Sequence, residues 1–165
     1  MSPHLKRALI AFVTAAASVT MLSVAPGLAQ KHPFGDLPGS WAGRGHITLS
    51  SGSREHIHCR ATYDVRGSGN DLQLALRCAS DSYSFDFRAK GIYNGGTING
   101  TWTETIQHAA GTFGGSVKGN HIAARAEGQT FAALLDLTTR GNRQSILIQS
   151  PWSKMSEVAI VLSRR

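Results

Sequence analysis

The sequence predicts an all-β protein, an antiparallel up-and-down meander of about eight to ten strands closed into a small barrel. Three observations predict it. No window carries the 3.6-residue period of an amphipathic helix, apolar and polar residues alternate through segment after segment, and Gly, Asn or Ser turn signals recur roughly every ten positions. A meander of that size has two bare edges unless its last strand pairs with its first, so closure is expected.

The chain opens with Lys6 and Arg7 ahead of an apolar run from Ala8 to Val24, and Gly27-Leu28-Ala29 follows. A charged start, an apolar middle and small residues at the cleavage positions mark a secretory signal, so residues 1–29 are expected to be removed and the rest exported to a periplasm or beyond. Thr14, Ser18 and Thr20 interrupt the run and Pro26 ends it, which favours a removed signal over a membrane span. No cysteine stands near the cleavage position to carry a lipid. Residues 30–38 read as a flexible leader and 39–165 as one domain with a single modest core.

The whole chain carries a formal charge of +7, of which Lys6 and Arg7 leave with the signal. The remaining basic residues are scattered, with Arg164-Arg165 a terminal pair, whereas a phosphate-tracking surface needs clustered cations with aromatics between them. A nucleic-acid partner is therefore not expected.

In chain order, the first segment places Trp41, Gly43, Gly45, Ile47 and Leu49 in one phase, and the second places Ile57, Cys59, Ala61, Tyr63 and Val65. A turn at Ser51-Gly52-Ser53 sets Ile47 against Ile57. The third alternates Leu72, Leu74, Leu76 and Cys78, and a loop at 66–71 puts Val65 opposite Leu72, Tyr63 opposite Leu74 and Cys59 opposite Cys78. An even cysteine pair in an exported chain, brought together by the hydrophobic register, predicts a disulfide. Tyr83, Phe85, Phe87 and Ala89 form the next apolar phase. An Asn94-Gly95 turn sets Phe87 against Trp102 and Phe85 against Glu104, within one long strand from Thr97 to Gln107. Later turns at Gly119-Asn120, Gly128-Gln129 and Gly141-Asn142 pair Val117 with Ile122, Ala126 with Phe131 and Leu137 with Ile146. The final segment offers Val158, Ile160 and Leu162.

Gly39-Ser40-Trp41, opening the first strand, resembles the Gly-x-Trp signature of the calycin group, the lipocalins and their barrel relatives. That resemblance implies a tryptophan packed across the closed end of a barrel beneath a cation from near the last strand. Arg164 shares the inward phase of Leu162, so a Trp41–Arg164 stack is the specific expectation. The chain is also similar to small exported bacterial proteins, and to small periplasmic metalloprotease inhibitors, which are disulfide-containing barrels that block their enzyme with an N-terminal trunk. Gln30 to Phe34 would be that arm.

Glu104 is the sharpest candidate for function, because a carboxylate on an inward phase is costly unless bonded or paired. It either anchors a polar group of a ligand or sits near the rim with an internal partner. Small inward residues (Gly100, Gly115, Ala61, Ala89, Ala124, Ala126) leave room for a small apolar ligand, with Tyr83, Phe85, Phe87 and Trp102 as walls. His46, His56 and His58 share the outward phase, His46 facing His58. They read as ordinary polar surface, with zinc or copper ligation the lesser alternative. No nucleophile elbow, Cys–His pair or phosphate loop is present, so an enzyme is not expected, nor any cofactor. A small-ligand binding module comes first, and a protein-binding or inhibitory barrel second.

Overall fold

The computed structural model describes residues 32–129 and 131–165. The expected signal, 1–29, lies outside them. Among the described residues there is no helix. Ten strands follow one another: β1 (Gly39–Leu49), β2 (Arg54–Arg66), β3 (Asp71–Ala79), β4 (Ser84–Asn94), β5 (Thr97–Glu104), β6 (Ala109–Lys118), β7 (His121–Gly128), β8 (Ala132–Arg140), β9 (Arg143–Gln149) and β10 (Met155–Arg164). Each pairs antiparallel with the next, and β10 pairs back onto β1, which closes the barrel and leaves no bare edge.

The closing seam runs from Trp41 opposite Arg164 to Ile47 opposite Val158. Curling there needs backbones closer together than a side chain permits. A Cβ added to Gly43 would stand 1.9 Å from the Val161 carbonyl oxygen, and one on Gly45 would stand 2.1 Å from that of Ala159. Gly100 on β5 and Gly111 on β6 play the same part on the far side, each with a neighbouring carbonyl oxygen 1.9 Å from where its Cβ would be. Glycine at these inward positions lets the sheet turn its corners.

Cys59 and Cys78 are bonded, opposite one another on β2 and β3 with Cα atoms 4.2 Å apart. The pairings of Val65 with Leu72, Tyr63 with Leu74, Val117 with Ile122 and Leu137 with Ile146 all form as the register predicts. Three hairpins differ, each by two residues. Ile47 faces Glu55, and it is Gly45 that faces Ile57. Phe87 faces Glu104 and Ala89 faces Trp102. Ala126 faces Ala133, not Phe131.

In the first hairpin the Gly52 N–H donates to the Leu49 carbonyl and the Leu49 N–H to Ser53, so Gly52, at φ +86°, closes the loop and does not centre it. In the β4–β5 hairpin the tight turn is Gly95-Gly96, both at positive φ, and Asn94 belongs to the strand. A slip of two residues leaves every side chain on its predicted face.

One end of the barrel is closed by the chain itself. Residues 32–38, expected to be loose, instead fold as a turn across the mouth at the start of β1, with Gly35 N–H bonded to the His32 carbonyl and Leu37 N–H to that of Phe34. Phe34 is 0% exposed and packs edge-on against Tyr93, with ring centroids 6.0 Å apart. Two apolar side chains, Phe34 and Leu37, bind the segment down because burying them outweighs the freedom of a short polar tail.

Candidate functional site

The two ends of the barrel differ. At the plugged end the inward residues Trp41, Tyr63, Ile98 and Leu162 are buried, while Val65, Leu74 and Tyr93 are partly so. Toward the opposite end, ringed by the β1–β2, β3–β4, β5–β6, β7–β8 and β9–β10 loops, Leu49, Phe85, Phe87, Leu135, Ile148 and Met155 share the inward phase yet stay only partly buried. That open end is the candidate site.

Of the predicted walls, Trp102 is the deepest, at 3% exposure. Its ring stacks on Phe87 at 5.7 Å between centroids and meets Phe131 edge-on at 5.6 Å, while its indole N–H donates to the Thr112 carbonyl at 3.1 Å. It lies over Gly128, where a Cβ would come within 2.9 Å of the indole. Phe131, not among the predicted wall residues, completes this aromatic group; a register slip hid it, because it sits in the β7–β8 loop and not opposite Ala126. Phe85 and Tyr83 pack against the core at the start of β4, where Tyr83 closes the β3–β4 turn with Ser80.

Glu104 stands at the rim, at the end of β5. Its carboxylate accepts the backbone N–H groups of Asp86 at 2.7 Å, of Ile106 at 3.2 Å and of Gln107. It thereby shapes the β5–β6 turn. The strand predicted to run to Gln107 ends at Glu104 for that reason, and Ile106 is 46% exposed in the turn beyond it. Glu55, also near this mouth, accepts the Ser82 N–H at 2.8 Å; hydrogen bonds from Ser80 and Ser82 hold its carboxyl below the usual value.

At the plugged end Arg164 lies over the Trp41 ring, 4.4 Å from its centroid, as the resemblance implies. A buried polar chain runs beside it and was not foreseen. The Tyr63 hydroxyl donates to Gln144 Oε1 at 2.7 Å, and Gln144 Nε2 donates to Thr139 Oγ1 at 3.0 Å. Burial pushes the Tyr63 hydroxyl well above its ordinary pKa. The inward phase of Gln144 with Ile146 was the signal available. A cavity of about 210 Å³ lies between the plug and β6–β8, lined by Tyr93, Val117, Ile122, Leu137 and Thr139 among others.

On the outer wall His46 faces His56, with ring centroids 4.5 Å apart, while His58 faces Arg44. Among the described residues no three of His, Cys, Asp and Glu gather as metal ligands would. No helix of the described residues is long and apolar enough to cross a membrane.

No family model and no curated protein matches the chain. Solved structures do. Rv2717c from M. tuberculosis superposes with a TM-score of 0.64 at 17% identity, over 87% of this chain and 99% of that one. The S-type phycobiliprotein lyase CPES from Guillardia theta superposes with a TM-score of 0.55 at 9% identity, over 85% of this chain and 98% of that one. Both likenesses are of fold.

Proposed function

We propose that this is an exported, non-enzymatic binding protein of calycin type that holds a small, largely apolar ligand inside the barrel at its unplugged end. The observation that carries the reading is the group of inward apolar side chains, Phe85, Phe87, Leu135 and Ile148, that stay only partly covered at the mouth opposite the Phe34 plug. Covering apolar surface stabilises by about 25 cal/mol per Å². A ligand seated against these side chains would supply that cover, and the stacked Trp102–Phe87 pair offers it a flat aromatic floor. The fold likeness to a phycobiliprotein lyase supports a ligand-binding barrel in general terms. The signal-like start and the disulfide support export.

A protein-binding or inhibitory barrel is the second reading. Its N-terminal-arm version would have to withdraw Phe34 from the plug, which favours action through the surface instead. Native mass spectrometry of the purified protein, followed by a panel of apolar compounds read by tryptophan emission, tests the first reading. A retained or added compound of fixed mass that alters Trp102 emission supports it. A clean apo mass with no emission change across the panel counts against it.

A further inference from the structure

The outer wall carries a second, independent feature. Asp136 on β8, Leu147 on β9, Ala159 on β10, His46 on β1 and His56 on β2 stand directly opposite one another in turn, so they form one row across five strands. The row lies in a groove of about 560 Å³. Its floor is apolar: Leu147 and Ala159 are partly covered, and Val161 beside them is 37% exposed. Its β1–β2 end is cationic or hydrogen-bond donating, with Arg44 next to the His46–His56 pair, and none of these three has a hydrogen-bond or ion-pair partner among the described residues. Its β8 end carries the carboxylate of Asp136, bonded to His121 Nε2 at 2.6 Å.

We propose that this groove binds a free amphipathic carboxylate, with its head group on Arg44, His46 and His56 and its alkyl chain along Ala159 and Leu147. An unpaired guanidinium beside two imidazoles is a complement for one carboxylate, since Arg binds that group with two parallel hydrogen bonds. The apolar floor selects a tail over a small inorganic anion. Asp136 fixes the direction, because it repels a carboxylate at its own end. Strands about 4.8 Å apart place it roughly 14 Å from His46, room for a medium-length chain between the two charges. The site is separate from the barrel interior and does not depend on what binds there.

The test is a titration of the protein with decanoate, decanol, acetate and phosphatidylglycerol vesicles, read by NMR at the His46 and His56 rings and the Ala159 and Leu147 methyl groups. Decanoate should give saturable shifts at all four, with decanol and acetate at least about tenfold weaker. Arg44→Gln should weaken decanoate about tenfold, and Leu147→Asp should abolish its binding while the Trp102 resonances stay unchanged. Equal binding of decanol, shifts confined to interior side chains, an unchanged affinity in Arg44→Gln, or a response to vesicles alone would overturn the proposal.

Discussion

Arg164 caps the indole of Trp41 and at the same time donates to the backbone carbonyls of Asp36, at 2.6 Å, and Pro38. The Trp41 N–H donates to the Leu37 carbonyl at 2.9 Å. One cation therefore joins the first strand, the last strand and the plug, and holds shut the seam that makes the sheet a barrel.

Arg164→Gln should lower stability by about 1–3 kcal/mol, through loss of the cation over the ring and of charge-assisted bonds to carbonyls. Lysine should restore only part, since it cannot reach two carbonyls while lying flat on the indole. Urea melts of the three proteins check this.

Removal of the Cys59–Cys78 bond by a double alanine substitution should cost about 3 kcal/mol while the barrel still forms, because a crosslink closing a short loop acts mainly on the unfolded chain. Far-ultraviolet circular dichroism and the denaturation midpoint separate the two effects.

Gly100→Ala should destabilise by about 2 kcal/mol or more, since its Cβ would fall 1.9 Å from the Lys90 carbonyl oxygen, a backbone atom with little freedom to retreat. Gly114→Ala should cost well under half of that, because its Cβ meets only the movable Asn99 side chain, at 2.9 Å. Comparison of the two thermal midpoints tests whether the glycine corners close the barrel.

Glu104→Ala should lower stability by about 1–3 kcal/mol by leaving the N–H groups of Asp86 on β4 and of Ile106 in the turn without their acceptor, and should leave the affinity for an interior apolar ligand nearly unchanged. A large affinity loss with stability intact would make this acid a ligand anchor instead.

Tyr63 is buried neutral with its pKa raised, so the unfolded chain loses that proton first as the pH rises. The stability tied to the neutral hydroxyl is fully present below the ordinary value of 10.0 and is lost progressively above it. Tyr63→Phe should be less stable by about 1–3 kcal/mol near neutrality, with Gln144 Oε1 left unpaired, and should show a flatter decline in alkali. Urea midpoints from pH 8 upward, around the titration of that ring, measure both.

The faces of the strands were legible in the sequence because alternation has a period of two, and even the three misplaced hairpins slipped by two residues. Cys59, Cys78, Trp41 and Arg164 met their partners for that reason. Which glycine closes a turn was not legible: Gly52 ends its loop and Gly96 joins Gly95, and composition alone does not distinguish these from a centred glycine. The same slip turned a predicted His46–His58 pair into His46–His56. The plug was missed because Phe34 and Leu37 carry no periodicity, and their burial depends on the mouth they cover. Glu104 was placed on its correct face with a ligand anchor and a rim position both open, and the N–H groups of Asp86 on β4 and of Ile106 and Gln107 in the following turn claim it at the rim.

The measurement closest to the central claim is an NMR shift map with a small uncharged apolar probe such as naphthalene. Saturable shifts at Phe85, Phe87, Trp102, Leu135 and Ile148, with Ile98 and Leu162 beneath the plug unmoved, are the predicted result. Absence of a saturable response at those open-end side chains, or shifts confined to the plugged end, would contradict it.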